Sequence, residues 1–368
     1  MTTERPTPLE TEVRARIAQT GPMPIAEFMA MCLYDPQHGY YNRCAPFGAA
    51  GDFITAPEIS QMFGELIGLW AAAVWHRMGS PANVRLVELG PGRATMIQDM
   101  LRAAHVMPEF RNALAVHLVE TSPVLIQRQK QTLANHDVSI VWHDALSDVP
   151  DGPAIIVANE FFDAMPIHQA VKQEDGWRER VVGIDASGAL AFGLGADALK
   201  FFEQTLPANV RAAPIGAIYE WRGDAQALEV GRRVVRGGGA ALIIDYGHVT
   251  SDVGDTLQAV RAHRKSDPLA APGLTDVTAH VDFQALGLAA ESIGARIHGP
   301  IEQAALLRRL GIEQRAANLK KVAPPDKAAA IDAALVRLMA GGPTGMGTMF
   351  KAIGLSAPQL ATLPGFDG

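Results

Sequence analysis

One short segment constrains the fold more than any other: an apolar strand that passes through a glycine turn into a helix. Residues 84–89 (VRLVEL) form the strand pattern, Gly90 and Gly92 follow, and residues 95–105 carry a helical pattern. Glycine permits a sharp turn and lets the backbone approach a ligand closely, because it has no Cβ. This order of elements predicts an α/β fold that binds a ligand at the turn.

The alternation of strands and helices continues along the chain. Further strands are predicted at residues 115–120, 138–142, 153–158 and 240–245. Further helices are predicted at residues 123–135 and 224–236. A last pair of strands at 295–298 and 348–355 is separated by helical segments at 301–320 and 326–340. We therefore predict a Rossmann-like doubly wound sheet of seven strands, with one of the last pair reversed, as is typical of class I methyltransferase folds.

The chain is predicted to have two parts. Residues 1–80 form an N-terminal helical cap region, because apolar residues recur there at helical spacing. Residues 81–368 form the sheet domain, with insertions at about 167–222 and 301–345. Polar and apolar residues alternate in the first insertion, which predicts antiparallel strands.

Composition excludes several classes of function. The 368 residues include 32 Lys and Arg against 39 Asp and Glu, a net charge of −7, without the basic stripe of a nucleic-acid-binding protein. No window has the apolar length of a membrane span, and the N-terminus lacks a targeting pattern. Cys32 and Cys44 are too few for a zinc site or a disulfide framework, so no metal is predicted. These features predict a cytoplasmic protein; they predict no oligomeric state.

The residues around the glycine turn indicate which cofactor it binds. A dinucleotide turn needs a third glycine, and that position is Thr95. Glu88, two residues before Gly90, would repel a pyrophosphate and attract an ammonium group. The turn therefore favours S-adenosylmethionine over NAD, with Glu88, Gly90 and Gly92 as contacts. An ordinary glycine turn is the alternative.

Acidic residues follow the next two predicted strands. Glu120 could accept hydrogen bonds from both ribose hydroxyls, although the segment from Glu120 to Pro123 also has the pattern of a helix start capped by Ser122. Asp144 could accept from an adenine amino group, with Ala145 in apolar contact. A solvated loop acid is the alternative for Asp144.

The segment VANEFFDAMP (157–166) follows the fourth strand, beside the crevice where such folds bind ligands. Glu160 and Asp163 would suit a planar guanidinium, and Asn159 would help to frame the attacking nitrogen. A carboxylate would take the proton late, since a guanidinium is almost never neutral at pH 7. Phe161 and Phe162 line the pocket or pack in the core. The alternative for the segment is a helix start capped by Asn159.

Several motifs together resemble the MidA family: GDFITAPEISQMFGELIG (51–68), LVELGPGRATM (86–96), NEFFDAMPIH (159–168), IDYGH (244–248), DTLQAVRAHRKSDPLAAPG (255–273) and DVTAHVDF (276–283). The resemblance implies a class I methyltransferase fold and S-adenosylmethionine as cofactor. It implies a protein arginine as acceptor, and mitochondrial members assist respiratory complex I assembly. It maps Gly90, Gly92, Glu120 and Asn159 through Asp163 onto the family's site.

Two details of these motifs carry predictions of their own. Ala94 stands where many relatives carry glycine, and its methyl group could crowd the start of the helix. Thr55 and Glu58 have capping-box spacing, which predicts a structural role for Glu58 rather than a place in the pocket.

Three other functions stay open at the level of sequence. An NAD-dependent oxidoreductase would bind nicotinamide cofactor, and a non-catalytic assembly factor would tolerate loss of the carboxylates at Glu160 and Asp163. A small-molecule methyltransferase would need no protein acceptor. His248, His280 and Asp282 lack metal spacing and are left outside the predicted site, whereas Asp245 and Tyr246 could border the acceptor pocket.

Overall fold

The computed structural model describes residues 6–43, 54–261, 264–342 and 345–367. The helices of those residues are α1 (Pro8–Thr20), α2 (Ile25–Tyr34), α3 (Tyr40–Arg43), α4 (Ala56–Ile59), α5 (Gln61–Arg77), α6 (Thr95–Ala104), α7 (Pro108–Ala113), α8 (Pro123–Thr132), α9 (Phe202–Thr205), α10 (Ala208–Arg211), α11 (Ala225–Gly237), α12 (Phe283–Glu291), α13 (Gln303–Arg309), α14 (Ile312–Lys320) and α15 (Pro325–Met339). None of them is long and apolar enough to cross a membrane.

The strands of the same residues are β1 (Met23–Pro24), β2 (Val84–Leu89), β3 (Leu114–Val119), β4 (Ile140–His143), β5 (Ala154–Asn159), β6 (Ile167–Gln173), β7 (Gly176–Ile184), β8 (Leu190–Ala198), β9 (Ile218–Arg222), β10 (Ala240–His248), β11 (Gln258–Arg261), β12 (Arg264–Ser266), β13 (Asp276–Thr278), β14 (Val281–Asp282), β15 (Arg296–Glu302) and β16 (Phe350–Ser356). A short 3₁₀ helix spans Leu146–Asp148.

The chain forms two compact units. Unit 1 comprises Met1–Phe53, Asp163–Gly223 and Thr250–Asp282, and unit 2 comprises Ile54–Phe162, Asp224–Val249 and Phe283–Gly368. The domain boundary predicted at residue 80 falls inside unit 2. The division of the chain into domains at residue 80 stays a prediction.

Unit 2 contains the predicted sheet. Its strands lie in the order β15-β16-β10-β5-β2-β3-β4. The strands from β10 to β4 are parallel, whereas β16 runs antiparallel to both β10 and β15. The predicted fold, a parallel sheet that ends in a pair with one reversed strand, is confirmed.

Helix α5 covers this sheet together with α6. Its apolar face is buried, including Trp70 at 1% exposure, and shares one core with Ile97 and Met100 of α6. The two helices approach closely at Gly68, where a Cβ would lie 2.7 Å from the Cα of Met100. This packing explains why α5, predicted as part of an N-terminal helical region, belongs to unit 2.

Unit 1 contains the predicted antiparallel insertion. Strands β1, β7, β6 and β9 lie side by side, β8 pairs with β7, and β12-β11-β13 form a separate sheet. Helix α1 starts at a cap in which Oγ1 of Thr7 accepts from the backbone nitrogen of Glu10 at 3.0 Å. Its buried residues pack with those of α2 in one apolar cluster. The first three residues of the motif at 51–68 lie outside the described residues.

Candidate functional site

Several predicted cofactor residues lie at the carboxyl edge of the parallel sheet in unit 2. Glu88 of β2 is paired with Leu118 of β3 and with Val157 of β5. Asn159 ends β5 two residues after Val157, and Glu120 follows β3 two residues after Leu118. Because side chains alternate along a strand and neighbours in register share a face, Glu88 and Asn159 point to the same face.

The glycine turn connects β2 to α6 at this edge. Gly90 and Gly92 have φ values of 60° and 53°, in the left-handed region that glycine adopts easily. The ring of Phe161 lies over Gly90, where a Cβ would come within 2.7 Å of Cδ2. Ala94 is also left-handed at φ 64°, directly before α6. Glycine adopts this left-handed conformation at less cost than alanine does.

Glu88 is a buried carboxyl next to the turn. It is 3% exposed, and its Oε2 has no hydrogen-bond partner among the described residues. Burial raises the pKa of Glu88 to about 8, and a hydrogen bond from the backbone of Ile97 opposes that change only in part. A cationic ligand beside Glu88 would favour its charged carboxylate form.

Glu120 is held as a hydrogen-bond acceptor. Its Oε1 accepts from the backbone nitrogens of Thr121 and Ser122, each at 2.9 Å, and its Oε2 accepts from Nε2 of Gln129 at 3.1 Å. Burial raises the pKa of Glu120, and these three donors lower it. Ser122 also caps α8, where its Oγ accepts from the backbone nitrogen of Leu125. The ligand role of Glu120 and the capping role of Ser122 are therefore compatible.

Asp144 and Ala145 follow β4, the strand beside β3. Asp144 is exposed, and the backbone nitrogen of Ala145 donates to Oδ2 of Asp148 at 3.1 Å, which closes the short 3₁₀ helix. Both residues lie at the carboxyl end of their strand, as an adenine contact would require. That contact stays a prediction.

Asn159 ends β5 and Glu160 follows it; both were predicted to lie beside the acceptor. Oε1 of Glu160 accepts from Nδ2 of Asn159 at 3.1 Å and from the backbone nitrogen of Ala56 at 3.0 Å. Glu160 has φ 52°, a conformation that is costly outside glycine and is found at functional sites. Asn159 ends a strand and caps no helix, so the alternative of a helix start is wrong.

Asp245, which the sequence suggested could border the acceptor pocket, makes contacts that the sequence analysis did not identify. It is fully buried in β10, and its Oδ2 accepts from the backbone nitrogens of Phe161 at 3.2 Å and Phe162 at 2.9 Å. It therefore positions the loop after β5. A strand-terminal acid in the sequence indicates an edge position, but its partners became visible only in the structure.

Asp163 belongs to unit 1, whereas Asn159 and Glu160 belong to unit 2. Its carboxyl lies near Tyr41, whose pKa is raised by burial and then by the charges of Asp276 and Asp163. Its carbonyl oxygen accepts from the backbone nitrogen of Ala279 at 3.1 Å. The predicted pairing of Glu160 with Asp163 stays a prediction.

Glu58 does not form the predicted capping box. Thr55 makes no side-chain bond at the start of α4. Oε1 of Glu58 instead accepts from Nη1 of Arg93 in the glycine turn at 3.3 Å, and Oε2 is buried without a partner among the described residues. Burial raises the pKa of Glu58, and Arg93 opposes this change. The capping-box spacing was misleading because the Glu58 side chain is held by Arg93, which is 35 residues away in the sequence.

The residues of this edge fit S-adenosylmethionine. Buried acceptor atoms without a partner among the described residues include Oε2 of Glu58, Oε2 of Glu88 and Oδ1 of Asn159. Buried acceptors are normally paired, so a ligand rich in donors is expected there. The ammonium group of the cofactor offers three N–H donors, whereas a pyrophosphate offers only further acceptors. No cluster suited to a metal ion occurs among the described residues.

Comparison with known proteins agrees with this chemistry. Residues 66–301 match a family described as "Putative S-adenosyl-L-methionine-dependent methyltransferase". The crystal structure of a Burkholderia thailandensis protein bound to S-adenosyl-homocysteine matches with a TM-score of 0.85 at 30% identity, over 99% of this chain and 97% of that one. The predicted fold class and cofactor are confirmed.

Two relatives have names that include an acceptor. The chain is 35% identical to "Protein arginine methyltransferase NDUFAF7 homolog, mitochondrial" of Drosophila melanogaster, over 96% of this chain and 86% of the relative. It is 38% identical to "Protein arginine methyltransferase NDUFAF7, mitochondrial" of Homo sapiens, over 84% of this chain and 74% of the relative. The resemblance noted from the motifs is confirmed.

The prediction of a cytoplasmic protein is wrong, because both relatives are named mitochondrial. That prediction rested on low cysteine content and on an N-terminus without a targeting pattern. Cysteine content separates oxidising from reducing surroundings and does not distinguish one reducing compartment from another.

Proposed function

Because the chain belongs to the family described as "Putative S-adenosyl-L-methionine-dependent methyltransferase", we propose that it methylates an arginine side chain of a protein. The names of the relatives from Drosophila melanogaster and Homo sapiens support the acceptor. A respiratory complex I subunit is the first candidate substrate, on the resemblance of the motifs.

One observation carries this proposal: the fixed carboxylate of Glu160 at the end of β5. Its Oε1 is held by Ala56 and Asn159, and the next residue, Phe161, lies over the glycine turn. A carboxylate held in this way suits a guanidinium, which is planar and always charged in proteins. Glu160 would orient the guanidinium toward the cofactor edge formed by Glu88, Gly90, Gly92, Glu120, Asp144, Ala145 and Asn159.

The proposed mechanism depends on positioning and on late proton transfer. When bound, the cofactor supplies an electrophilic methyl group. Deprotonating arginine first, at pH 7, would cost roughly 7–9 kcal/mol. Glu160 would therefore align one guanidinium nitrogen and accept its proton as the bond from that nitrogen to the methyl carbon forms and the bond from the methyl carbon to the cofactor sulfur breaks. Asn159 would keep Glu160 in place through Nδ2, and Asp163 is proposed as a second carboxylate of the acceptor site.

The proposal is tested by substituting Glu160 with glutamine. The amide oxygen of Glu160→Gln can still accept from Ala56 and Asn159, but the charge is lost. We expect affinity for S-adenosyl-homocysteine to stay within about threefold of wild type, and methyl transfer to fall by about 10²–10⁴-fold. The measurements are calorimetric titration and transfer of labelled methyl groups from S-adenosylmethionine to arginine-containing proteins.

The control is Glu313→Gln, whose side chain is 62% exposed and lies on α14 of the same unit. Methyl transfer that survives both Glu160→Gln and Asp163→Asn would contradict a catalytic role for these two carboxylates. A wild type that binds the cofactor but transfers no methyl group to any protein would instead support a non-catalytic assembly factor. Label that reaches free metabolites but no protein would contradict the protein acceptor.

A further inference from the structure

Gln129 is a buried polar residue that the sequence analysis did not connect with the cofactor. It lies in α8 and is 0% exposed. Its Nε2 donates to the carbonyl oxygen of Gly92 at 3.0 Å and to Oε2 of Glu120 at 3.1 Å. Its Oε1 accepts from Nε1 of Trp142 at 2.9 Å. One side chain therefore joins the glycine turn, the acid after β3 and strand β4.

These partners determine the orientation of the Gln129 amide. The indole N–H of Trp142 can only donate, whereas the carbonyl of Gly92 and the carboxylate of Glu120 can only accept. A flipped amide would place its oxygen against two acceptors and its nitrogen against a donor. The amide therefore has one favourable orientation, and both of its N–H groups are directed at residues of the cofactor edge.

The same contacts determine which oxygen of Glu120 is left for a ligand. Thr121 and Ser122 both donate to Oε1, and Gln129 donates to Oε2. An ionised carboxylate has about four acceptor sites, two on each oxygen. The remaining capacity is therefore on Oε2, so a ribose hydroxyl would meet the oxygen that Gln129 holds.

We propose that Gln129 is a positioning residue for the cofactor, which holds Oε2 of Glu120 and the carbonyl of Gly92 at a fixed spacing. The inference rests on the proposed role of Glu120 and the glycine turn. Burial raises the pKa of Glu120, and the hydrogen bond from Gln129 is among those that lower it, so Gln129 favours the ionised form of that carboxyl.

The test measures the dissociation constant of S-adenosyl-homocysteine by calorimetry from about pH 5 to about pH 9, a range that spans the titration of a carboxyl with a raised pKa. The proteins compared are wild type, Gln129→Met, Glu120→Gln and the double variant. Methionine has a similar volume and no N–H donor. The matched control is Gln303→Met in α13 of the same unit, because Gln303 is also 0% exposed and donates to the carbonyl of Leu338 at 3.0 Å.

Three results are expected. Gln129→Met weakens binding by about tenfold at neutral pH, since it removes a donor to a charged group. The pH at which binding is half lost moves upward relative to wild type, because Glu120 is easier to protonate. Glu88, whose pKa of about 8 lies in the same range, is present in every protein compared. In the Glu120→Gln background the second substitution adds little, whereas Gln303→Met binds as wild type does.

The inference is overturned if Gln129→Met retains the affinity and pH profile of the Gln303 control, or if it weakens binding equally with and without Glu120. If Gln129→Met does not fold, Gln129→Glu replaces it, because it keeps an acceptor for Trp142 and sets a carboxylate beside Glu120; a larger upward shift is then expected. Wild type that binds no S-adenosyl-homocysteine at any pH would instead contradict the cofactor site itself.

Discussion

At the scale of single residues, Glu88 and Glu120 differ in how their charge is controlled. Glu120 has three hydrogen-bond donors around its carboxylate. Glu88 is buried with a pKa of about 8 and has one opposing bond, from the backbone of Ile97. At neutral pH the free protein therefore carries Glu88 mainly in its protonated form, and an ammonium group beside it would favour the carboxylate.

Cofactor binding should release a proton from Glu88. At neutral pH we expect the observed binding enthalpy of S-adenosyl-homocysteine to depend on the ionisation enthalpy of the buffer, and affinity to rise with pH up to about 8. Calorimetry in two buffers of different ionisation enthalpy measures this. Glu88→Gln should abolish the buffer dependence. A wild-type binding enthalpy that is the same in both buffers would contradict the release of a proton from Glu88.

The same carboxyl should make the free protein less stable as the pH rises. The folded pKa of Glu88 lies above its unfolded value of 4.5, so the folded state binds more protons between pH 4.5 and about 8. The contribution of Glu88 to stability is therefore present below that window and is lost through it. Glu88→Gln removes this dependence, which thermal unfolding at both ends of the window would detect.

Gly90 is required for its backbone and for the ring that covers it. Gly90→Ala adds a Cβ at φ 60° and at 2.7 Å from Cδ2 of Phe161. Gly188→Ala is a matched control, because Gly188 has φ 83° but no atom within 4 Å of the added Cβ. Both should lose about 1 kcal/mol of unfolding free energy. Only Gly90→Ala should weaken S-adenosyl-homocysteine binding, by about tenfold or more; equal affinities in a titration would show that the ring contact is irrelevant.

At the scale of elements, a buried carboxylate joins three helices of unit 2. Glu65 of α5 is 5% exposed, and it accepts from Nε of Arg102 in α6 at 3.1 Å. It also accepts from Nε and Nη2 of Arg315 in α14, at 2.8 and 3.0 Å. A carboxylate with this many charged donors is stabilised at its buried position, and removing it leaves two guanidinium groups without that partner.

Glu65→Gln should lower the unfolding free energy by about 2–3 kcal/mol, less than for a fully buried pair because both arginines are partly exposed. The control is Glu313→Gln, which removes an exposed pair with Arg308 and should change stability by less than about 1 kcal/mol. Urea unfolding measures both. Equal effects would show that the network contributes no more than a surface pair.

At the scale of the whole molecule, the path of the chain through the sheet was predictable in outline. Alternating strands and helices predicted the parallel part, and the last two strands predicted the reversed pair, because burial on both faces leaves long apolar runs in the sequence. The division into two units was not predictable in the same way. Unit 1 is assembled from three separate stretches of chain, and no local pattern records which distant stretches pack together.

Prediction of the site was uneven for the same reason. Glu88, Gly90, Gly92, Glu120 and Asn159 lie at or just beyond the carboxyl ends of strands, so their common edge could be predicted from parallel strands that end together. Gln129 lies in the middle of a helix without a motif, and Glu58 had a spacing that suggested a different role. Both were decided by side-chain contacts with residues far along the chain, Gly92 and Arg93 respectively.

The sequence by itself determined the class of fold and the kind of cofactor, because hydrophobic periodicity, glycine at a turn and an acid two residues before it are local features with local physical causes. Tertiary structure alone decided which donors surround each carboxylate. In the folded chain, Glu160 accepts a hydrogen bond from Ala56, and Oε2 of Glu120 accepts one from Gln129. Burial raises the pKa of Glu88 to about 8. Those properties depend on distance and on exclusion of water, which only the packed chain establishes.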